Sequence, residues 1–211
     1  RYRLVPLGVA FITMIFLAGA MARPEARHAG WRPLFDGETT AGWHPYAKPG
    51  AGAPSKAHGW DVVDGTLVAL GKGTESTDDI VTDALFTDFE LELEWKVAPQ
   101  ANSGVFYGVV EDVSGKSQKS GADYAMHPPR AKAVKPVGQW NHTRIVVKGT
   151  HVRLELNSVV TAEFERWTPE WERLKTTGKW KDYPQYGVAK SGRIGLQNHG
   201  NMTWFRKLRV R

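Results

Sequence analysis

Carboxylates recur at every second position in Phe89-Glu90-Leu91-Glu92-Leu93-Glu94-Trp95. In an extended strand, that alternation puts Glu90, Glu92 and Glu94 on one face, roughly 6.5–7 Å apart, with the apolar residues on the other. Such a row could grip sugar hydroxyls or a cation, and it could equally be a solvated outer face. His199 stands in Asn198-His199-Gly200-Asn201, a run of turn formers. Its imidazole could act as a general base or bind a metal, or sit as a hydrogen-bonded turn residue. Asn102 and Gln197 flank strand-like runs, where an amide could hold a sugar hydroxyl or cap the backbone. Trp140 and Trp204 could stack on a sugar ring, although with nine Trp in the chain packing is the default role. Arg206, alternating with apolar neighbours, could bind a carboxylate or hydroxyls, or could simply be solvated.

Other chemistry is absent from the pattern. With no cysteine there is no disulfide, zinc-thiolate site or cysteine nucleophile. The chain has no glycine-rich phosphate loop, no His-x-x-x-His pair, no Gly-x-Ser-x-Gly elbow and no dinucleotide fingerprint. The formal charge of +6 is spread among Asp and Glu and forms no basic run, so nucleic acid is not an expected partner.

The elements that must carry these side chains are strands. The chain of 211 residues is 41% hydrophobic and holds 22 Gly and 12 Pro, which fits one sizeable core of short strands joined by turns. Trp31 to Gly37 reads as an edge strand containing Pro, and Tyr46 to His58 as a surface loop. Trp60 to Val63 and Thr66 to Leu70 are joined by Asp64-Gly65, a hairpin turn. Ile80 to Thr82, Phe89 to Val97 and Ser103 to Val110 continue the pattern. Gln139 to Lys148 and His151 to Leu156 form a second hairpin around Gly149-Thr150, and Asn157-Ser158 leads into Val159 to Phe164. Thr168-Pro169-Glu170 has the capping hydroxyl, early Pro and acid of a helix start, so Pro169 to Lys175 is expected to be a short inserted helix. Arg193 to Gln197 and Trp204 to Val210 close the domain.

The first residues differ from the rest. No charged side chain occurs from Leu4 to Ala22, about 19 residues or roughly 28 Å as a helix, near the thickness of a bilayer core. A signal peptide ending at Ala18-Gly19-Ala20 or Ala20-Met21-Ala22 would also fit, but the run exceeds the usual apolar stretch of such peptides. A retained transmembrane anchor over residues 1–22 is therefore expected, with residues 23–30 as a tether and 31–211 as the domain. Arg1 and Arg3 favour a cytoplasmic N-terminus, against the opposing pull of Arg23 and Arg27. In a bacterial cell this places the domain on the periplasmic or external side of the inner membrane.

Several short motifs occur together from Trp31 almost to the end. They are Leu34-Phe35-Asp36-Gly37 with Gly42-Trp43, Trp60-x-Val62-x-Asp64-Gly65, Asp88-Phe89-Glu90-x-x-x-Glu94-Trp95-Lys96 and Asn102-Ser103-Gly104-Val105-Phe106. Gly138-Gln139-Trp140-Asn141, Gly195-Leu196-Gln197-Asn198-His199-Gly200 and Trp204-Phe205-Arg206 complete the set. In these the chain resembles the keto-disaccharide hydrolase family, whose fold is a concanavalin-like, two-sheet antiparallel jelly roll. The resemblance implies an all-β sandwich acting on oxidised sugars, with a divalent metal among the cofactors it allows. A keto group at C3 acidifies the C2 proton, so a base can remove it and expel the glycosidic oxygen, after which water can add.

On this basis His199 and Glu94 are the expected catalytic residues, Glu94 because it lies inside a matched motif. Asn102, Gln197, Trp140 and Arg206 are the expected substrate-binding residues. Two departures stand out. Relatives carry a Pro-Glu-Tyr-Gln segment, a Leu-Asp-Asn and a His-Pro pair after the strand matching Ser103 to Val110, whereas here Glu111 to Lys116 runs directly into Gln118 to Tyr124. Asn198 also stands where relatives have Asp, which removes a charge beside His199 and weakens a metal there.

Two functions fit these features. One is a membrane-anchored domain that binds or cleaves 3-keto-glycosides. The other is a non-catalytic subunit of a larger membrane assembly, such as a photosynthetic or respiratory complex, whose anchor packs among neighbouring transmembrane subunits.

Overall fold

The computed structural model describes residues 30–46, 57–71, 78–111 and 126–211. The described residues form an all-β sandwich of two antiparallel sheets with one short helix. The chain order is β1 (Arg32–Pro33), β2 (Trp43–Pro45), β3 (Trp60–Val63), β4 (Thr66–Ala69), β5 (Ile80–Thr82), β6 (Phe89–Val97), β7 (Val105–Val109), β8 (Asn141–Lys148), β9 (His151–Leu156), β10 (Val159–Glu165), α1 (Pro169–Thr177), β11 (Arg193–Leu196) and β12 (Thr203–Val210). The large sheet runs β10-β9-β8-β6-β12-β4-β3, with β1 also on β12, and the small sheet runs β2-β5-β11-β7.

Local chemistry sets the turns. Asp64 and Gly65 (φ 49° and 69°) and Asn157 and Ser158 (φ 50° and 67°) supply the paired positive φ angles that two-residue hairpins need to match strand twist. Between the sheets, β6 buries Phe89, Leu91 and Leu93 against Ile194 and Leu196 of β11 and Phe205 and Leu208 of β12. The helix starts as its residues dictate, the Thr168 hydroxyl accepting from the Trp171 amide at 3.2 Å, and it runs two residues past Lys175. It docks through the buried Trp171, stacked on Tyr186.

Glu90, Glu92 and Glu94 do face away from the core. Each is tied across to a neighbouring strand: Glu90 to Arg144 (2.7 Å) and Arg211 (2.8 Å), Glu92 to Arg209 (2.6 Å), and Glu94 to Arg206 (2.7 Å) and Lys207 (2.9 Å). A bulge in β12 between Arg206 and Arg209, with Lys207 at φ 53°, lets two consecutive cations reach one carboxylate. Lys96 lies between Trp140 and Trp204, and the Arg206 guanidinium stacks on Trp140 at 3.9 Å.

Partial burial pushes the Glu90 and Glu94 carboxyls up, but hydrogen bonds from Arg144 and Arg211, and from Lys207 and Arg206, outweigh it and hold both below the usual range. A lowered folded pKa contributes stability above the unfolded value, near ~4.3, and that contribution disappears as pH falls through the folded pKa. Arg206→Ala should therefore cost about 0.5–1 kcal/mol in chemical denaturation at pH 7 and less at a pH low enough to protonate Glu94. An equal loss at both pH values would rule out the ion pair as its source.

Two expectations differ from the structure. The strand expected over Trp31 to Gly37 is only the pair Arg32–Pro33 on β12, because Pro33 lacks an amide proton and Gly37 turns at φ 84°. β2 was not expected from the alternation, since three residues ending in Pro give too short a signal; it is placed by pairing with β5. The anchor, the tether up to residue 29 and most of the Tyr46–His58 loop lie outside the described residues. Among the described residues no helix is long and apolar enough to cross a membrane.

Candidate functional site

The small sheet turns one face to the core and the other away. Strand pairing aligns His44 with Val81, Val81 with Gly195 and Gly195 with Phe106, and this row faces outward because the next row, Ile80 and Leu196, is buried in the main core. A side chain at Gly195 would lie 3.3 Å from Val81 Cγ1 and 3.4 Å from Phe106 Cδ2, so glycine lets the Phe106 ring lie over the strand. Phe106 packs with Tyr46, Val81 and Val109 in an apolar cluster separate from the main core.

A chain of charged groups borders this cluster. His44 Nδ1 is 2.5 Å from Asp83 Oδ1 and its Nε2 is 3.0 Å from Glu111 Oε2. Arg193 Nε lies 2.8 Å from the same Glu111 oxygen, and its Nη1 donates to the carbonyls of Thr82 and Asp83. His44 comes from β2, Asp83 follows β5, Arg193 opens β11 and Glu111 follows β7, so all four strands of the sheet converge here. A neutral imidazole donates through one nitrogen only, so His44 serves one carboxylate at a time unless it is protonated. Its side chain is 28% exposed and that of Glu111 only 12%.

The other border is amide-rich. Gln197 is the next outward position after Gly195, about 7 Å along the strand. Its amide donates to the Gly104 carbonyl at 2.9 Å, and its carbonyl accepts from the Ser103 hydroxyl at 2.7 Å. Asn198 is buried and organises the turn: its amide donates to Asp79 Oδ1, its side chain donates to the Gly59 carbonyl, and its Oδ1 accepts from the Gly200 amide. His199 is exposed at the tip of that turn. The Asn102 amide approaches Asn201 Oδ1 at 3.4 Å. The side chains of Asn102, Gln197 and His199 make no hydrogen bond with other described residues.

The six expected site residues thus divide into two groups. Asn102, Gln197 and His199 meet at one end of the small sheet. Glu94, Arg206 and Trp140 meet on the outer face of the large sheet, on the opposite side of the sandwich. The reading from sequence missed His44, Asp83, Glu111 and Arg193. The one available signal was Trp43-His44-Pro45, a single polar residue between two residues that turn inward, next to a matched Gly-Trp.

Among the described residues no three His, Asp or Glu side chains converge as a metal site. The donors of the charged chain face one another and Arg193, and the Asn198 amide is engaged by backbone groups. The described residues therefore do not fit a divalent metal.

A family model described as a 3-keto-alpha-glucoside-1,2-lyase-like domain matches residues 30–211. The chain belongs to this family. It is 31% identical to a 3-keto-disaccharide hydrolase of Bacteroides thetaiotaomicron over 233 residues, covering 86% of this chain and 78% of that protein. That alignment is longer than the whole chain of 211 residues, so the relative holds residues with no counterpart here. Among solved structures, a provisionally assigned glycosyl hydrolase of Parabacteroides distasonis is similar with a TM-score of 0.73 and 30% identity, covering 86% of this chain and 93% of that one. A second from the same organism has a TM-score of 0.59 at 25% identity, with 86% and 98% covered. The keto-lyase-like domain begins at Gly30, just ahead of β1, so the whole sandwich described above lies inside the family match.

Proposed function

We propose that this domain cleaves the glycosidic bond of a 3-keto-glycoside on the outer face of its small sheet. The supporting observation is that His44, Asp83, Glu111 and Arg193, one from or just beyond each strand of that sheet, border the apolar cluster that holds Phe106, opposite the unpartnered side-chain amide of Gln197, in a chain of this family. The sugar lies with its C–H face on Phe106. His44 Nε2 exchanges its contact with Glu111 for the C2 proton, and Asp83 on Nδ1 fixes the tautomer and steadies the imidazolium that forms. Gln197 donates to the C3 oxygen as it becomes enolate-like. Removal of the proton forms the C1–C2 double bond and breaks the C1–oxygen bond; the leaving oxygen takes a proton back from His44, and water then adds across the double bond. Asn102 and His199 hold the leaving group. Glu94 and Arg206 join β6 to β12, Trp140 ahead of β8 stacks on the Arg206 guanidinium, and all three stay out of the chemistry.

The test is incubation of the purified protein with 4-nitrophenyl 3-keto-α-glucoside. Release of nitrophenol, with no release from the unoxidised glucoside, is the expected result; equal inertness toward both would sink the proposal. The uncharged run from Leu4 to Ala22 supports a further reading, that the domain is tethered at the extracytoplasmic surface of a membrane. Intact mass of the protein from its native membrane should include that run, and a mature protein starting after Ala22 would refute the tether.

A further inference from the structure

We infer that the outer face of the large sheet docks on an anionic bilayer surface; this rests on the tether proposed above and turns the sugar-cleaving face of the small sheet away from the membrane. The place where the chain enters the domain points to this face. The uncharged run ends at Ala22, and residues 23–29 span at most roughly 30 Å, so a tethered domain stays close to the surface. Trp31, the second described residue, lies outside the core. Its ring sits under the guanidinium groups of Arg209 (4.9 Å) and Arg211 (4.8 Å), whose side chains reach outward to Glu92 and Glu90. The tether therefore joins the domain on the outer face of the large sheet.

Charge and ring chemistry fit anionic headgroups. The three outward carboxylates of β6 pair with Arg144 of β8 and with Arg206, Lys207, Arg209 and Arg211 of β12, five cations to three anions. Toward β9 and β10, Glu155 and Glu163 offset Arg153, so the positive excess lies along β12, the strand that holds Trp31. Lys96 adds to it. Among the described residues it pairs with no carboxylate, and its ammonium lies 5.0 Å from the Trp140 ring and 4.6 Å from the Trp204 ring. Trp31, Trp140 and Trp204 are all half-buried on this one face. Indole rings settle at the headgroup layer, and neighbouring Lys and Arg side chains extend their charge to the phosphates. Each basic residue near an anionic surface adds attraction that fades within a Debye length. The outer face of the small sheet has no such excess, because His44 and Arg193 there are tied to Asp83 and Glu111.

The chain has no cysteine, so single-cysteine variants of the full chain can carry one fluorophore: His142→Cys, which pairs with Glu94 on the outer face of the large sheet, or His199→Cys at the end of the small sheet. Each is reconstituted into nanodiscs of phosphatidylcholine, alone or with a third phosphatidylglycerol, containing a lipid with a nitroxide on its headgroup. The label at position 142 should be quenched in the anionic discs and little in the neutral ones, and the label at position 199 little in either. Lys96→Gln removes a charge without leaving a carboxylate unpaired. At the salt concentration that half-releases its parent, it should lower the docked-to-free ratio roughly fivefold, the effect of one basic residue at an anionic surface. Equal quenching at position 142 in both discs, stronger quenching at position 199, or an unchanged ratio in Lys96→Gln would each overturn the docking and leave the tether standing. Failure of the protein to co-elute with neutral discs would instead refute the tether, and the docking with it.

Discussion

His44→Ala should reduce turnover of 4-nitrophenyl 3-keto-α-glucoside by about 10²–10⁴-fold, the range expected when a general base is removed, while Glu94→Gln should leave it within about twofold. The contrast follows from placement. His44 lies between Asp83 and Glu111 and pairs with Val81 of the Phe106 cluster, whereas both oxygens of Glu94 are held by Arg206 and Lys207 on the far side of the sandwich. Glu111→Gln removes the charge that His44 and Arg193 share and should change the pH profile of kcat/KM as well as its height. A role confined to packing would lower activity without moving the profile. The variants are compared at matched folded fraction, because Glu94→Gln also loosens the β6–β12 pairing.

The second large effect is structural, and it reaches the site through one glycine. A side chain at Gly192 would lie 2.4 Å from the Gly108 carbonyl carbon and 2.7 Å from the Val109 nitrogen, both backbone atoms that cannot rotate aside. On its other side Gly192 exchanges both backbone hydrogen bonds with Phe86, at 2.8 and 3.0 Å, so it cannot retreat. Gly192→Ala should therefore destabilise by about 3 kcal/mol, at the upper end for overpacking. Because Arg193 is the next residue, the strain should also displace the Glu111–Arg193–His44 chain and lower activity even in the folded fraction. Urea denaturation measures the first effect and turnover per folded molecule the second; a shift under about 0.5 kcal/mol, the size of an ordinary surface change, would mean that β7 and β11 part more easily than their contacts suggest.

Much of the fold was legible because the large sheet advertises itself. The alternation in Phe89 to Val97, the Asp64-Gly65 turn and the Thr168-Pro169 helix start are local signals, and each element stands where those residues put it. The division of the expected site residues was not legible. Alternation tells which residues of a strand share a face, but not which sheet the strand joins, and Glu94 and His199 fall on different sheets through pairings separated by about a hundred residues, such as β6 with β12. The charged chain was hidden for the same reason. His44, Asp83, Glu111 and Arg193 are scattered through the sequence without a shared motif, and only the order β2-β5-β11-β7 brings them together. The short join after Glu111, noticed as a departure from relatives, lies outside the described residues, while Glu111 itself proves to be the residue on which that chain converges.

The central claim is that sugar binds on the outer face of the small sheet. A crystal structure of the His44→Ala variant soaked with 4-nitrophenyl 3-keto-α-glucoside tests it most directly. The expected density covers Phe106, with the C3 oxygen at the Gln197 amide and C2 facing the space left by the imidazole. Density stacked instead on Trp140 beside Arg206 and Glu94 would contradict the account and move the site to the large sheet.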